Sequence, residues 1–112
     1  MKNHKVKCSN FEIANDKPFT LIAGPCQLES EAHAIKISTE LKKITKELRI
    51  NFIYKTSFDK ANRTSLKGTR GAGLEASLPV FDKIKKELNI PILTDIHNAE
   101  QCSVVADHVD VL

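Results

Sequence analysis

Phe52-Ile53-Tyr54-Lys55-Thr56-Ser57-Phe58-Asp59-Lys60-Ala61-Asn62-Arg63 opens as an apolar run and turns cationic at Lys55. Phe52-Ile53-Tyr54 has no polar alternation and reads as a short strand buried on both faces. Strands of that kind belong to parallel sheets covered by helices. Beyond the strand come Lys60, the Asn62 amide, Arg63, Thr64, Lys67 and Arg70, with Asp59 as the one acid between residues 52 and 73. Cations held at the C-terminal end of a parallel strand suit anions, phosphates above all. The plainer reading of clustered lysines is a solvated basic loop.

Working outward, the strand spans Asn51 to Thr56. Upstream lies a helix with Ser30 as N-cap and Glu31 in its first turn, running to Leu48. Ile37, Leu41, Ile44 and Leu48 are spaced as its core face, and its lysines and Glu40 are read as solvated. Before it, Phe19–Ala23 is a buried strand ended by Gly24-Pro25, with Cys26 next. Lys5–Ala14 reads as two short strands around a Ser9-Asn10 turn, a hairpin outside the main sheet, and Asn15-Asp16-Lys17-Pro18 is a breaker.

Downstream, a second helix runs from Leu74 to Asn89. Leu74, Leu78, Phe81, Ile84 and Leu88 form its core face, with Pro79 in about the first turn, where a missing N–H is best tolerated. Ile90–Thr94 is a third strand, closed by Asp95-Ile96-His97. Asn98 and Gln101 fit a cap for a short helix through Ala106, and Asp107–Leu112 opens a fourth strand.

Strands alternating with helices mean an α/β fold with a parallel sheet and right-handed crossovers. Both an open doubly wound sheet and a (β/α)₈ barrel answer to this pattern. A last strand with no helix after it favours the barrel. Residues 17–112 are therefore read as the N-terminal half of a (β/α)₈ TIM barrel, and residues 1–16 as a hairpin extension. Cys26, Lys55 with Lys60, and Asp95 stand at the C-terminal ends of the three complete strands, which is the ligand end in either fold.

A chain of 112 residues with 41% hydrophobic content affords one small domain with a core. A net charge of +3 without Trp is too weak a signal for nucleic acid. No apolar run reaches membrane-spanning length, so neither nucleic acid nor membrane is expected as a partner. The three cysteines include no CxxC pair and no apolar leader precedes them, which points to reduced thiols and a cytoplasmic location. A lone Cys such as Cys26 is usually a small buried residue. His33 and His97 are read as structural, and Cys8 and Cys102 carry no assigned chemistry.

Ala23-Gly24-Pro25-Cys26, Leu28-Glu29-Ser30, Lys55 through Arg63, Arg70-Gly71-Ala72-Gly73-Leu74-Glu75 and Thr94-Asp95-Ile96-His97, taken in order, resemble the 3-deoxy-D-manno-octulosonate-8-phosphate synthases, also called 2-dehydro-3-deoxyphosphooctonate aldolases. The resemblance implies a (β/α)₈ transferase, a cytoplasmic homotetramer of Gram-negative bacteria. Such an enzyme condenses phosphoenolpyruvate with D-arabinose 5-phosphate and water, releases phosphate, and feeds lipopolysaccharide synthesis. The chain covers under half of a barrel of roughly 250 residues, which implies a fragment inactive alone.

By the same resemblance Lys55 and Lys60 contact phosphoenolpyruvate, with Lys60 also at the reacting centre. Asn62 and Arg63 contact arabinose 5-phosphate, Arg63 at its phosphate. Thr64 stands where the family usually has Ser and keeps the hydroxyl. Ser57 and Arg70 complete the substrate set, Asp59 orients the lysines, and Asp95 is a catalytic proton acceptor or a neighbour of the metal. Cys26 marks the metal-dependent members, as a soft ligand for Zn, Fe or Mn. The remaining family ligands, a His, a Glu and an Asp, belong to the barrel's second half. The related 3-deoxy-D-arabino-heptulosonate-7-phosphate synthases typically carry Lys-Pro-Arg-Thr where this chain has Lys60-Ala61-Asn62-Arg63. Two further readings compete with an enzyme: a non-catalytic phosphosugar-binding half-barrel, and a remnant without function.

Overall fold

A computed structural model of the chain describes residues 2–59 and 73–112. Val6–Cys8 (β1) and Phe11–Ile13 (β2) pair antiparallel, Val6 opposite Ile13, across a turn in which Ser9 takes a φ of 52°. Thr20–Ala23 (β3), Glu31–Leu48 (α1), Asn51–Lys55 (β4), Leu74–Leu88 (α2), Ile92–Leu93 (β5) and Gln101–Ala106 (α3) follow in the chain. The second sheet is parallel throughout, in the order β3-β4-β5. Parallel neighbours cannot be joined by tight turns, and α1 and α2 lie in the crossovers.

Phe52 and Tyr54 of β4 pack in one cluster with Ala34 of α1, Val80, Phe81 and Ile84 of α2, and Val105 of α3. Ile53, which points to the opposite face, is buried outside that cluster. It lines a cavity of about 380 Å³ with Ile22, Leu93, Val111 and the hairpin residues Val6, Cys8 and Ile13. The three described helices therefore cover one face of the sheet, and the hairpin lies against the other.

The faces of α1 differ from the expected ones. Ser30 does cap the helix, its hydroxyl accepting from the His33 N–H at 3.1 Å. The buried stripe, however, is Ala34, Ser38 and Thr45, with Ile35, Ile37 and Leu41 half-buried beside it, while Ile44 is 47% and Leu48 64% exposed. Small residues let the helix approach the sheet. Ser38 and Thr45 can be buried because each hydroxyl donates to the carbonyl one turn back, at 2.7 Å to Ala34 and 2.9 Å to Leu41. Nor are the lysines of α1 all merely solvated. The Lys42 ammonium donates to the Leu88 carbonyl, a group that the end of α2 leaves without a helical partner.

In α2, Leu74, Leu78 and Leu88 flank the buried Ser77, Val80, Phe81 and Ile84. Pro79 falls inside the helix, beyond the first turn. The third strand shrinks to Ile92–Leu93. The Pro91 carbonyl accepts from Tyr54 N–H at 3.0 Å, but proline has no N–H to return. Most of the expected fourth strand is absent. Asp107 caps α3, and the remaining segment makes a single parallel bridge, Val111 to Leu93. The Asp110 carboxylate takes the Ile92 N–H at 2.9 Å, so a side chain supplies part of what a ladder would. Among the described residues, no helix is long and apolar enough to cross a membrane.

Candidate active site

The C-terminal ends of β3, β4 and β5 meet along one edge of the sheet. Gly24 makes the first approach possible: a Cβ there would lie 1.8 Å from the Lys55 carbonyl oxygen. Between the Ala23–Tyr54 pair and the Gln27–Ser57 bridge, the β3 side spends one residue more than the β4 side. The extra residue behaves as a bulge in Gly24-Pro25-Cys26. Cys26 is left exposed, and Gln27 takes the place beside Ser57.

Lys55 and Ser57 share a face of the extended chain, and the Lys55 ammonium donates to Ser57 Oγ at 3.2 Å. Ser57 is fully buried, and its carbonyl accepts from Leu28 N–H at 2.8 Å. It therefore fixes Lys55 and joins two strand ends. Thr94 Oγ1 donates to the Thr56 carbonyl at 2.7 Å, tying in the third strand end. On the helix-covered face, burial pushes the Tyr54 phenol up to about 12, so it stays neutral.

Asp95 and His97 follow β5. His97 Nε2 lies 2.6 Å from the Asp59 carbonyl oxygen and 3.9 Å from Asp95 Oδ2. A carbonyl only accepts, so Nε2 carries a hydrogen and donates it. The ring also meets Phe58 edge-on, with centroids 5.6 Å apart. The His97 N–H donates to Gln101 Oε1 at 2.8 Å, while Asn98 Oδ1 accepts from the Gln101 N–H at 3.1 Å. The expected Asn98–Gln101 cap is met in part: Asn98 accepts from the Gln101 N–H, but the Gln101 side chain closes on His97 instead of Asn98, and α3 starts after Glu100, which makes no side-chain cap. Gly73 N–H donates to the Phe58 carbonyl at 2.9 Å, so the residues flanking 60–72 meet.

The structure thus gathers Lys55, Ser57, Asp59, Asp95 and Cys26 at the strand ends. Lys60, Asn62, Arg63, Thr64 and Arg70 lie outside the described residues. Cys26 offers an accessible thiol, but among the described residues no three His, Cys, Asp or Glu groups converge to hold a metal ion. The described donors therefore do not make a metal site by themselves. Two contributors escape sequence reasoning. His97 reads as structural there, although its position after a strand end is a usable signal; Gln27 has none, because its place depends on the register slip. As a whole the edge offers a held cation beside amide, imidazole and carboxylate groups, a set suited to binding a polar anionic ligand.

Comparison with known proteins bears on what that ligand is. The model of the DAHP synthetase I family matches residues 3–112. Proteins named 2-dehydro-3-deoxyphosphooctonate aldolase from Chelativorans sp. and Mesorhizobium japonicum are each 54% identical over 110 residues, which is 98% of this chain and 40% of theirs. The protein of that name from Bartonella henselae is 53% identical over 98% of this chain and 39% of its own. The chain spans about two fifths of the length of these curated relatives.

Proposed function

The chain belongs to the DAHP synthetase I family, and from that membership we propose that it supplies the strand-end substrate site of a 3-deoxy-D-manno-octulosonate-8-phosphate synthase. The observation that carries this reading is the 54% identity, over 98% of the chain, to proteins named for that activity. The reaction joins the enol carbon of phosphoenolpyruvate to the aldehyde of arabinose 5-phosphate while water adds at the neighbouring carbon and phosphate leaves. Charge develops next to two phosphates and a carboxylate, and fixed cations lower its energy. Lys55, fixed by Ser57 at the end of β4, supports this role. Lys60 at the reacting centre, Asn62, Arg63 and Thr64 on arabinose 5-phosphate, and Arg70 extend it. Asp95, near His97, is the proton acceptor or the neighbour of the metal.

Helices on one face of a parallel sheet support a barrel over a doubly wound sheet, in which both faces carry helices. The hairpin would then close the N-terminal end of the barrel interior. A homotetramer in the cytoplasm completes the reading. The heptulosonate synthases share the family model, but the relatives' names favour the eight-carbon product. The test joins residues 1–112 to the part of the Mesorhizobium japonicum relative that the chain does not match, and compares turnover with arabinose 5-phosphate and erythrose 4-phosphate. Preference for the four-carbon sugar would overturn the assignment.

Two results are expected of the joined protein. Arg63→Ala raises the KM for arabinose 5-phosphate at least tenfold, since a charge-assisted phosphate contact is worth about 1.5–3 kcal/mol. Unchanged kinetics for both substrates would remove Arg63 from the site. Cys26 is proposed as one donor of a divalent metal, completed by groups beyond this chain; a bound metal would act as a Lewis acid beside the substrates. Metal measured in the purified joined protein falls to background in Cys26→Ala, whereas undiminished metal content would exclude the thiol as a ligand.

A further inference from the structure

Gln27 stands beside Ser57 because of the extra residue in Gly24-Pro25-Cys26. Bridged residues point to the same face and successive residues of extended chain to opposite faces. Leu28 packs into the cluster under the helices. Gln27 therefore faces the other way, with Lys55 and Ser57. It is only 8% exposed, and its Oε1 is buried without a hydrogen-bond partner. Buried amide oxygens are ordinarily paired, and one left unpaired is destabilising until a donor arrives.

We propose that Gln27 is a specificity-determining residue of this site, whose side-chain amide takes up a hydroxyl group of the sugar phosphate. The proposal rests on the synthase reading above and goes beyond it by dividing the site chemically. Phosphoenolpyruvate, ionised at phosphate and carboxylate, brings only acceptors and cannot pair with an amide oxygen. Lys55, on the same face, directs its ammonium to Ser57. A sugar hydroxyl both donates and accepts, so it satisfies the amide in either orientation of its oxygen and nitrogen. A site that hydrogen-bonds a substrate hydroxyl also rejects analogues lacking it, because the protein group is then left unpaired.

The experiment uses the full 112-residue chain joined to the unmatched part of the Mesorhizobium japonicum relative. Wild type is compared with Gln27→Met, and with Gln27→Glu, which keeps an acceptor oxygen. Both are assayed with arabinose 5-phosphate and with its analogues lacking one hydroxyl at a time. Gln27→Met is expected to raise the KM for arabinose 5-phosphate about tenfold, the scale of one lost hydrogen bond, with kcat and the KM for phosphoenolpyruvate little changed. In wild type and Gln27→Glu, one deoxy analogue carries a KM penalty, and in Gln27→Met that penalty disappears.

A merely structural role would leave the deoxy penalties alike in all three proteins and would overturn the proposal. So would a Gln27→Met effect on the KM for phosphoenolpyruvate, which would place an anion against the amide. If Gln27→Met does not fold, equal deoxy penalties in Gln27→Asn, which withdraws the amide by one methylene, and wild type overturn it as well. Wild-type turnover confined to erythrose 4-phosphate strikes the synthase reading itself, and the proposal falls with it.

Discussion

The purified 112-residue chain is expected to release no phosphate from phosphoenolpyruvate and arabinose 5-phosphate, with or without added Zn²⁺ or Mn²⁺. Turnover should appear when the chain is mixed with, or joined to, the unmatched part of a relative. The difference is all or none because groups are missing, rather than displaced. Cys26 is a single thiol, and among the described residues no convergent set of three metal-binding side chains accompanies it. One thiolate does not hold a catalytic divalent ion against water. Without the part of the barrel that the relatives have and this chain does not match, neither substrate is expected to be fixed for attack. Ile22 and Phe19 on β3 and beside it, and Ile44 and Leu48 on α1, are exposed apolar side chains. The chain alone is therefore expected to self-associate, a change that sedimentation would record. Phosphate release by the chain alone would refute the prediction. Activity restored only in the mixture would show that residues 1–112 carry a competent part of the site.

Gly24→Ala should be far more disruptive than Gly73→Ala. Its Cβ would fall 1.8 Å from the Lys55 oxygen and 2.8 Å from the Lys55 carbonyl carbon. Both are backbone atoms of the central strand, so no side-chain rotation relieves the overlap. Either β3 separates from β4 or the Gly24-Pro25-Cys26 bulge is rebuilt. The expected loss is about 3 kcal/mol or more, at the upper end for single substitutions. It is read as a lower urea midpoint by circular dichroism, with activity of the joined protein lost in step. Gly73→Ala is the control. Gly73 has a φ of 88° but nothing within 4 Å of a built Cβ, so only backbone strain of about 1–3 kcal/mol applies. Equal stability of Gly24→Ala and the wild type would mean that the two strands do not approach as described.

The elements that declare themselves in the sequence are those whose signals are local. Phe52-Ile53-Tyr54 is buried on both faces as an unbroken apolar run requires, and Ser30 caps α1 through a bond within its own first turn. The Asn98–Gln101 spacing likewise predicts the bond from Gln101 N–H to Asn98, although the Gln101 side chain answers at His97. The errors arise where a neighbour decides. The face of α1 looks like Ile37-Leu41-Ile44-Leu48, yet the sheet selects Ala34, Ser38 and Thr45, whose small size permits close packing and whose hydroxyls are satisfied inside the helix. A hydrophobicity pattern counts Ser and Thr as polar and cannot register that satisfaction. The last strand fails for a similar reason, since the Asp110 side chain substitutes for ladder bonds. In the site, the strand-end positions of Lys55 and Asp95 are legible from alternation alone. The exchange of Cys26 for Gln27 beside Ser57 is not, because register belongs to two strands at once.

The bonds from Gly73 N–H to the Phe58 carbonyl and from His97 to the Asp59 carbonyl clasp the two flanks of residues 60–72. Both contacts use main-chain atoms of Phe58, Asp59 and Gly73, so neither depends on which side chains those three residues carry. Lengthening such a closed segment costs little, on the order of 0.6 kcal/mol per doubling. A change of length between these flanks therefore has its expected cost in loop closure, while the main-chain clasp at Phe58, Asp59 and Gly73 is retained.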